Sequence, residues 1–364
     1  MPYTIAVVKG DGIGPEVCSA AMDVLRAVPG LGGELAFREY PAGAMHYQQT
    51  GDAFPNATFE GCRDADAILH GAAGIPGVTY PDGTEAGLDF GLQLRFRLDL
   101  YANVRPIRLL PGVVSPLRRF GAGQIDYVIL RENTEGLYAS RGAGTLLRGE
   151  VASDTLLVTR KGVERISRMA FDLARRRKGA PRDGKRRVTL CDKANVLRSY
   201  AFFRSVFTEV AAGYPDIDVD YAIVDAMTVH MLERPDYYDV IVTENMFGDI
   251  ISDLGAGTVG GMGMSPSAEL GERNGFFQAS HGSAPTIAGK DLANPHGTIL
   301  SAALMLRWLG ERRGHAMLGR AADRIERAVA HVLETGAGLT RDIGGEASTS
   351  EATACVCEAV RTAP

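Results

Sequence analysis

Two aspartates stand four positions apart, at Asp249 and Asp253, shortly after the apolar run Val240–Thr243. On a helix this spacing places both carboxylates on one face, where two like charges repel. A hard divalent cation reverses that cost, because Mg²⁺ and Mn²⁺ prefer carboxylate and water oxygens. The apolar run is typical of a buried strand, and α/β folds bind ligands beyond the carboxyl ends of strands. The pair therefore predicts a metal site, with two solvated aspartates at a helix start as the alternative.

Three arginines stand near polar or turn residues, at Arg95, Arg105 and Arg131. A guanidinium is suited to carboxylates because its planar fork donates two parallel hydrogen bonds. Together the three arginines predict a small-molecule substrate with at least two carboxylates, that is, a di- or tricarboxylate. For any one arginine taken alone, a surface ion pair is an equally good interpretation.

Further groups suited to proton transfer follow other strand-like runs. Lys193 comes shortly after Val188–Leu190, and Asp225 comes directly after Ala222–Val224. A lysine held near a metal and arginines can serve as a base at neutral pH. Tyr138 can donate a proton from its hydroxyl group, and a half-buried tyrosine in a strand is the alternative interpretation.

A loop rich in glycine and proline, His281–Gly297, precedes a helix-like run. Its backbone N–H groups can cradle a nucleotide or a phosphate. The glycines of Gly10–Glu16 also follow a strand and open a helix. Their spacing is G-x-G-x-G, whereas the dinucleotide fingerprint is G-x-G-x-x-G, so this segment predicts a tight turn between strand and helix.

Strand-like runs alternate with helix-like periodicity along most of the chain, which predicts an α/β fold with a largely parallel sheet. The predicted strands are Ile5–Val8, Ala67–Leu69, Tyr127–Leu130, Val188–Leu190, Ala222–Val224 and Val240–Thr243, and the predicted helices include Val163–Arg176, Tyr200–Ala212, Thr298–Leu309 and Ala321–Leu333. Gly142–Val158 is polar and punctuated by glycine, with strand-like ends. This pattern is typical of a β-arm that reaches another subunit.

The length of 364 residues suffices for about two domains. Breaks in the alternation near Leu100–Val104 and Gly255–Gly260 predict where they meet. A large domain would comprise residues 1–102 and 256–364, including both termini and the His281–Gly297 loop. A small inserted domain, residues 103–255, would carry the β-arm and the metal aspartates.

Charge and composition argue against several classes of protein. The formal net charge of −5 argues against a nucleic-acid surface. The five scattered cysteines, an odd number, suit reduced thiols in a cytosol. No charged leader precedes the first strand and no apolar run reaches about 18 residues, so neither a signal peptide nor a membrane span is expected. We therefore expect a cytoplasmic protein.

In seven segments the chain resembles the metal-dependent β-decarboxylating hydroxyacid dehydrogenases. This family includes the isopropylmalate, isocitrate, homoisocitrate, tartrate and D-malate dehydrogenases. The matching segments are Gly10–Glu16, Leu98–Pro106, Arg131–Tyr138, Asp192–Asn195, Val224–Met227, Asn245–Asp253 and His281–Pro295. The resemblance implies the two-domain α/β fold of that family, with a largely parallel sheet, and not the common Rossmann dinucleotide fold. It also implies oxidative decarboxylation of a (2R)-malate-type hydroxy acid.

The same resemblance implies a role for each polar position. Asp249 and Asp253 would bind Mg²⁺ or Mn²⁺ together with Asp225, and the three arginines would hold the carboxylates of the substrate. Lys193, assisted by Asp225, would take the proton of the substrate hydroxyl, and Tyr138 would reprotonate the carbon. Lys193 and Asp225 would come from the partner subunit of a homodimer, so that two chains share each active site.

The cofactor implied by the resemblance is NAD. The residues implied to bind it are His281, Gly282, Ser283, Ala284, Pro285, Thr286, Ile287 and Asn294, with Asn294 at the adenine. NADP-using relatives carry a Lys-Tyr pair where this chain has Thr286-Ile287, which favours NAD over NADP. NAD-using relatives usually carry aspartate at the position of Thr286, so the resemblance implies a weaker preference here.

Substrate choice in the family is set mainly by the helix before Arg95. The positions in question are Gly91 and Leu92, which the isopropylmalate enzymes fill with two leucines. A small or polar 3-substituent is therefore the expectation, that is, tartrate or D-malate, with 3-isopropylmalate as the alternative. Isocitrate, homoisocitrate and a non-catalytic regulatory subunit are further alternatives. A lyase without nicotinamide would not need the His281–Gly297 loop.

Overall fold

The computed structural model describes residues 2–362 of the chain, which form two compact units. The first unit comprises Met1–Leu100, Leu110–Val114 and Gly260–Pro364. The second unit comprises Tyr101–Leu109 and Ser115–Val259.

The first unit contains five strands and seven helices within the described residues. They are β1 (Tyr3–Gly10), α1 (Gly14–Ala27), β2 (Leu35–Glu39), α2 (Ala44–Thr50), α3 (Asn56–Asp64), β3 (Ala67–Ala72), α4 (Asp89–Arg97), β11 (Pro266–Leu270), β12 (Gly275–Ala279), α9 (His296–Arg313), α10 (Ala316–Thr335) and α11 (Thr349–Thr362). The strands lie in the order β2-β1-β3-β12-β11. All neighbours in this row are parallel except β11 and β12, which form an antiparallel hairpin.

The second unit has its own strands and helices. They are β4 (Ala102–Arg108), β5 (Asp126–Glu132), β6 (Thr145–Leu147), β7 (Val151–Ser153), α5 (Arg160–Arg176), β8 (Arg187–Asp192), α6 (Arg198–Ala211), β9 (Asp218–Ile223), α7 (Val224–Glu233), β10 (Val240–Thr243) and α8 (Asn245–Thr258). The main strands lie in the order β4-β5-β10-β8-β9, and only β4 runs antiparallel to its neighbour. The predicted α/β class with largely parallel strands is confirmed.

Local sequence explains why these elements form. All four residues of β10 are buried and all four are branched at Cβ, as expected for a strand covered on both faces. Helix α1 has proline in its first turn, where the missing N–H costs nothing. Helix α5 begins at the N-cap Thr159, whose side chain accepts a hydrogen bond from the Gly162 N–H.

The observed unit boundaries differ from the expected domains in one main respect. Leu110–Val114 was expected inside the inserted domain, yet it belongs to the first unit. Gly112 shows the reason, because a Cβ placed there would lie 1.9 Å from the carbonyl oxygen of Leu333 in α10. The segment is thus packed tightly against the backbone of the first unit.

Two elements depart from the expected pattern. The strand predicted over Ala222–Val224 ends at Ile223, and Val224 instead begins α7, so Asp225 lies in the first turn of a helix. No strand was predicted within the segment Gly255–Asn274. It contains the end of α8 and strand β11, which pairs with β12.

The Gly142–Val158 segment forms a two-stranded antiparallel ribbon, β6 with β7. Its apolar side chains are exposed, with 72% of Leu146 and 56% of Val151 accessible. An isolated hairpin of this kind is only marginally stable in water. The ribbon has the strands expected of the β-arm, and its contact with another subunit stays a prediction.

Candidate active site

Helix α8 carries Asp249 and Asp253, the two aspartates of the predicted metal site. Strand β10 leads into it, and the side chain of Glu244 caps its start by accepting the N–H groups of Met246 and Phe247. Asp249 and Asp253 lie one turn apart on this helix, as the spacing predicted. Both are reached by one guanidinium: Arg105 Nη2 lies 3.2 Å from Asp249 Oδ1, and Arg105 Nη1 lies 3.4 Å from Asp253 Oδ1.

Arg131 approaches the same aspartates from strand β5. Its side chain is 1% exposed, and its Nε and Nη2 donate to Asn245 Oδ1 at 3.0 and 2.6 Å. Its Nη1 donates to Asp249 Oδ1. Gly248 makes room for this arginine, since a Cβ there would lie 2.6 Å from Arg131 Cγ. The sequence therefore brings two cations and two carboxylates into one cluster.

Tyr138 joins this cluster from a short 3-10 turn after β5. Its hydroxyl donates to Asp249 Oδ2 at 2.9 Å, and its ring lies 5.3 Å from the guanidinium carbon of Arg131. The phenol is thus placed where its proton can reach a group bound beside Asp249.

Burial raises the pKa of Asp253, and the neighbouring Asp249 charge raises it further, while Arg105 opposes both effects. Two carboxylates this close share a site better when a cation lies between them. The donor set therefore fits a hard divalent ion. Within residues 2–362, however, no group of three or more His, Cys, Asp or Glu side chains is close enough to hold one.

Lys193 and Asp225 form a separate pair in the same unit. Lys193 Nζ donates to Asp225 Oδ1, and this hydrogen bond lowers the pKa of the Asp225 carboxyl. The structure thus brings together the expected base and its expected assistant. It does not group Asp225 with Asp249 and Asp253 inside one chain, in the part that the structure describes.

Arg95 lies in the first unit, on α4. Phe90 and Leu94 of this helix are fully buried in the core with Phe276, which fixes the helix on the strands. Arg95 Nε and Nη2 donate to the two oxygens of Glu269 at 2.8 and 2.7 Å. Arg95 is thus held by a carboxylate of its own unit, and sequence analysis did not foresee this partner.

The same helix carries the positions expected to select the substrate. A Cβ at Gly91 would meet nothing within 4 Å, so space is open there. Leu92 is half-buried, with part of its side chain accessible. The structure thus leaves both positions accessible, and their role in selecting the substrate stays a prediction.

The glycine turn after β1 supports the expected cofactor loop. The Ile13 N–H donates to the Ser283 carbonyl at 2.8 Å, and a Cβ at Gly12 would lie 2.0 Å from that same oxygen. Asp11, buried at 1% exposure, accepts the N–H groups of Ala44, Met45 and Gly74 and so fixes the turn. The interpretation of this segment as a tight structural turn agrees with its contacts.

Replacing Gly12 by alanine is expected to destabilise the protein by about 2 kcal/mol or more, since positive φ costs about 1–2 kcal/mol and the contact adds a clash. Gly30→Ala is the matched control, because Gly30 also has positive φ, at 80°, but nothing within 4 Å of its Cβ. Denaturant unfolding of both variants measures the difference. Equal losses would contradict a close contact between the turn and Ser283.

The loop itself exposes three of the eight positions expected to touch NAD. Gly282, Pro285 and Thr286 are exposed, and Ala284 has a positive φ of 39°, a conformation rare outside glycine. Burial lowers the pKa of His281 at the start of the loop. Ser283 is buried against the glycine turn, and Ile287 packs with Ile13 and Val17.

Asn294 is buried, and both ends of its amide are engaged. Its Oδ1 accepts the His296 N–H at the start of α9, and its Nδ2 donates to Asp342 Oδ2, each at 3.0 Å. Its expected contact with adenine stays a prediction. The structure shows a local role for this side chain in shaping the end of the loop.

Comparison with known proteins decides the family. The chain matches the model of the isocitrate/isopropylmalate dehydrogenase family over residues 4–360. The chain belongs to this family. It is 45% identical over 360 residues to the 3-isopropylmalate/3-methylmalate dehydrogenase of Methanocaldococcus jannaschii, covering 99% of both chains. It is also 44% identical over 333 residues to the 3-isopropylmalate dehydrogenase of Corynebacterium aurimucosum, covering 90% of this chain and 92% of that one.

A solved structure agrees with this placement. The isocitrate dehydrogenase from Methylococcus capsulatus superposes with a TM-score of 0.87 at 38% identity, covering 99% of this chain and 100% of that one. The chain is therefore a member of a family of decarboxylating dehydrogenases. The expectation of tartrate or D-malate as substrate gains no support from these comparisons. The names of the Methanocaldococcus jannaschii and Corynebacterium aurimucosum enzymes favour the alternative, 3-isopropylmalate.

Sequence reasoning missed several residues that shape the site. Glu244 and Asn245 precede Asp249 in the first turn of α8, and the acid that caps this helix is a signal readable from the sequence. Glu269 was missed because it lies in a strand that was not predicted.

None of the helices within residues 2–362 is long and apolar enough to cross a membrane.

Proposed function

We propose that this protein is an NAD-dependent and metal-dependent 3-isopropylmalate dehydrogenase, which oxidises and decarboxylates its substrate. The observation that carries the proposal is the cluster in which Arg105 and Arg131 converge on Asp249 and Asp253, with the Tyr138 hydroxyl at 2.9 Å from Asp249. The cluster pairs carboxylate-binding cations with carboxylates suited to a metal. Membership of the family and the names of the relatives support the reaction and the substrate.

The proposed chemistry divides among this chain's own residues. Arg95, Arg105 and Arg131 bind the carboxylates of the hydroxy acid through paired hydrogen bonds. Lys193, contributed by the second chain of the proposed dimer, accepts the proton of the hydroxyl group, and Asp225 of that same chain holds the amine in place. Tyr138 donates a proton to the carbon that has lost CO₂.

Two groups would complete this machinery. When bound, NAD supplies the acceptor for the hydride, and a Mg²⁺ or Mn²⁺ ion stabilises negative charge on the substrate oxygens. Asp249 and Asp253 would hold the ion, with Asp225 of a second chain as a further ligand. The residues His281–Ile287 and Asn294 would hold NAD.

The choice of 3-isopropylmalate rests on helix α4 together with the relatives. Leu92 keeps one of the two leucines that the isopropylmalate enzymes carry here, and the open space at Gly91 leaves room for a branched apolar substituent, so the missing second leucine does not exclude this substrate. Burying such a group is worth about 0.8 kcal/mol per CH₂ unit. Isocitrate would instead place a third carboxylate there, and no basic residue stands at either position.

NAD is preferred over NADP in this proposal because Thr286 and Ile287 offer no positive charge for a 2′-phosphate. The nearest lysine, Lys290, donates its amine to the Thr286 carbonyl at 2.8 Å. Thr286 also offers no carboxylate to repel that phosphate. The preference for NAD is therefore proposed to be moderate.

A homodimer with shared active sites is part of the proposal. The second unit exposes apolar side chains well beyond the β-arm, including 65% of Val196, 50% of Val229 and 57% of Ile250. Association with a second chain would remove these apolar groups from water, which is favourable. The five cysteines are free, which suits the proposed cytoplasmic location.

A substrate panel tests the proposal. The purified protein is assayed with 3-isopropylmalate, D-malate, tartrate, isocitrate and homoisocitrate, each with NAD and NADP in the presence of Mn²⁺. We expect the highest kcat/KM with 3-isopropylmalate and NAD, and rejection of isocitrate by at least about a hundredfold, since an unpaired buried charge costs several kcal/mol. Isocitrate or tartrate as the best substrate would overturn the substrate assignment, and activity without NAD or NADP would overturn the reaction.

A further inference from the structure

Arg95 is held by a carboxylate that is buried in the first unit. Glu269 on β11 has no exposed side-chain surface, and the Arg95 side chain is 11% exposed. The two residues are 174 positions apart and meet through two parallel hydrogen bonds, of 2.8 and 2.7 Å. A bidentate pair fixes the plane of the guanidinium as well as its position.

A third residue braces the carboxylate. Gln278 on β12 donates from Nε2 to Glu269 Oε1 at 3.1 Å. Glu269 faces Phe276 in the antiparallel β11–β12 ladder, so Gln278, two residues beyond Phe276, projects on the same face. Ser301 Oγ in turn donates to the Gln278 carbonyl at 2.8 Å, which ties this strand to α9.

Burying the Arg95–Glu269 ion pair costs free energy of solvation, so the presence of the pair is weak evidence that it stabilises the fold. Removing two charges from water usually costs about as much as their attraction returns, and apolar residues of similar volume often serve as well or better. A buried ion pair of this kind is better explained by the fixed orientation that it gives to its two side chains. The geometry that it fixes here is that of an arginine proposed to bind a substrate carboxylate.

We infer that Glu269, braced by Gln278, is a positioning residue that sets the orientation in which Arg95 meets the carboxylate of the hydroxy acid. This inference rests on the proposed function, because it takes Arg95 as a ligand of the substrate. Rotation about the side-chain bonds of an arginine is costly to freeze on binding. Glu269 fixes the Arg95 side chain before the substrate arrives, and so reduces the entropic cost of binding the substrate.

The test is a steady-state comparison of Glu269→Gln with the wild-type enzyme, using the acid that the wild type turns over best. Glutamine keeps the size of the side chain but can accept only through one oxygen, so the bidentate pair is lost. We expect KM for the acid to rise about tenfold while kcat changes less than about threefold, the pattern of lost uniform binding. KM for NAD should stay the same.

Glu272→Gln is the matched control. It makes the same chemical change three positions along the chain, at an exposed side chain, and should leave all constants unchanged. A thermodynamic cycle adds a second readout. In an Arg95→Met background, Glu269→Gln should alter KM by less than about twofold, because the group that it positions is already gone.

Gln278→Leu covers the case in which Glu269→Gln does not fold. It removes only the brace, and KM should rise by about threefold with kcat unchanged. Unchanged KM in a folded Glu269→Gln or Gln278→Leu enzyme, with only a lower Tm, would overturn the inference and leave a purely structural ion pair. A wild type that prefers another acid would overturn the substrate assignment alone, whereas a wild type that acts on none would overturn both.

Discussion

Asp249→Asn is expected to lower kcat/KM by about a thousandfold or more, because loss of a metal ligand removes several kcal/mol of charge stabilisation. A chelator should abolish wild-type activity, and Mn²⁺ or Mg²⁺ should restore it. The structural basis is the one-turn spacing of Asp249 and Asp253, which share the guanidinium of Arg105. A calorimetric titration with Mn²⁺ should show that Asp249→Asn binds the ion more weakly than the wild type, independently of any activity assay.

The same experiment has a pH dependence of known sign. Burial and Asp249 raise the pKa of Asp253, so this carboxyl takes up a proton at a higher pH than an ordinary aspartate. Because only the carboxylate binds the ion, affinity for Mn²⁺ should fall as the pH is lowered through that pKa.

Asp172→Asn is the matched control, since Asp172 is an exposed aspartate on α5 in the same unit. It should bind Mn²⁺ and turn over substrate like the wild type. Circular dichroism must show that Asp249→Asn is folded, because Asp249 also accepts hydrogen bonds from Arg131 and Tyr138. Full activity in excess chelator would exclude the metal site.

Mixing two inactive variants is expected to restore activity. Lys193→Ala and Asp253→Asn damage different halves of a site that two chains are proposed to share. The basis is that Lys193 pairs with Asp225 in the structure, while Asp225 does not group with Asp249 and Asp253 within the described part of one chain. After random exchange half of the dimers are mixed, and each owns one intact site, so activity should recover to about a quarter of the wild-type value.

A second mixture provides the control. Asp249→Asn mixed with Asp253→Asn should recover nothing, because every site in the mixed dimer then contains a damaged aspartate. Exchange itself is followed by native mass spectrometry of two differently tagged chains. No recovery of activity in the first mixture, despite proven exchange, would mean that each site is built within one chain.

The sequence by itself determined the features that depend on local spacing. The alternation of strands and helices follows from hydrophobic periodicity, and the order of residues along α8 places Asp249 and Asp253 on one face. The glycine turn of Gly10–Glu16 was likewise readable, since its spacing excludes the dinucleotide fingerprint. The residues of the long Asn245–Asp253 match were enough to indicate the family.

Pairings between distant strands were beyond the sequence. Arg131 reaches Asp249 because β5 lies beside β10, with Arg131 paired to Thr243. Arg105 joins them because β4 runs antiparallel to β5, which sets Arg105 opposite Ile129. The β11–β12 hairpin was missed as a whole, because its short strands are buried and show no clean alternation.

Only the tertiary structure decided how each arginine is held. Arg131 is almost completely buried against Asn245 and Asp249, and Arg95 is bound by Glu269, 174 positions away. No local pattern encodes such a partner, since the identity of a polar contact depends on which strands the packing of the core brings side by side. A carboxylate becomes the partner of a buried guanidinium because the folded chain excludes water from both, and an unpaired charge there would cost several kcal/mol.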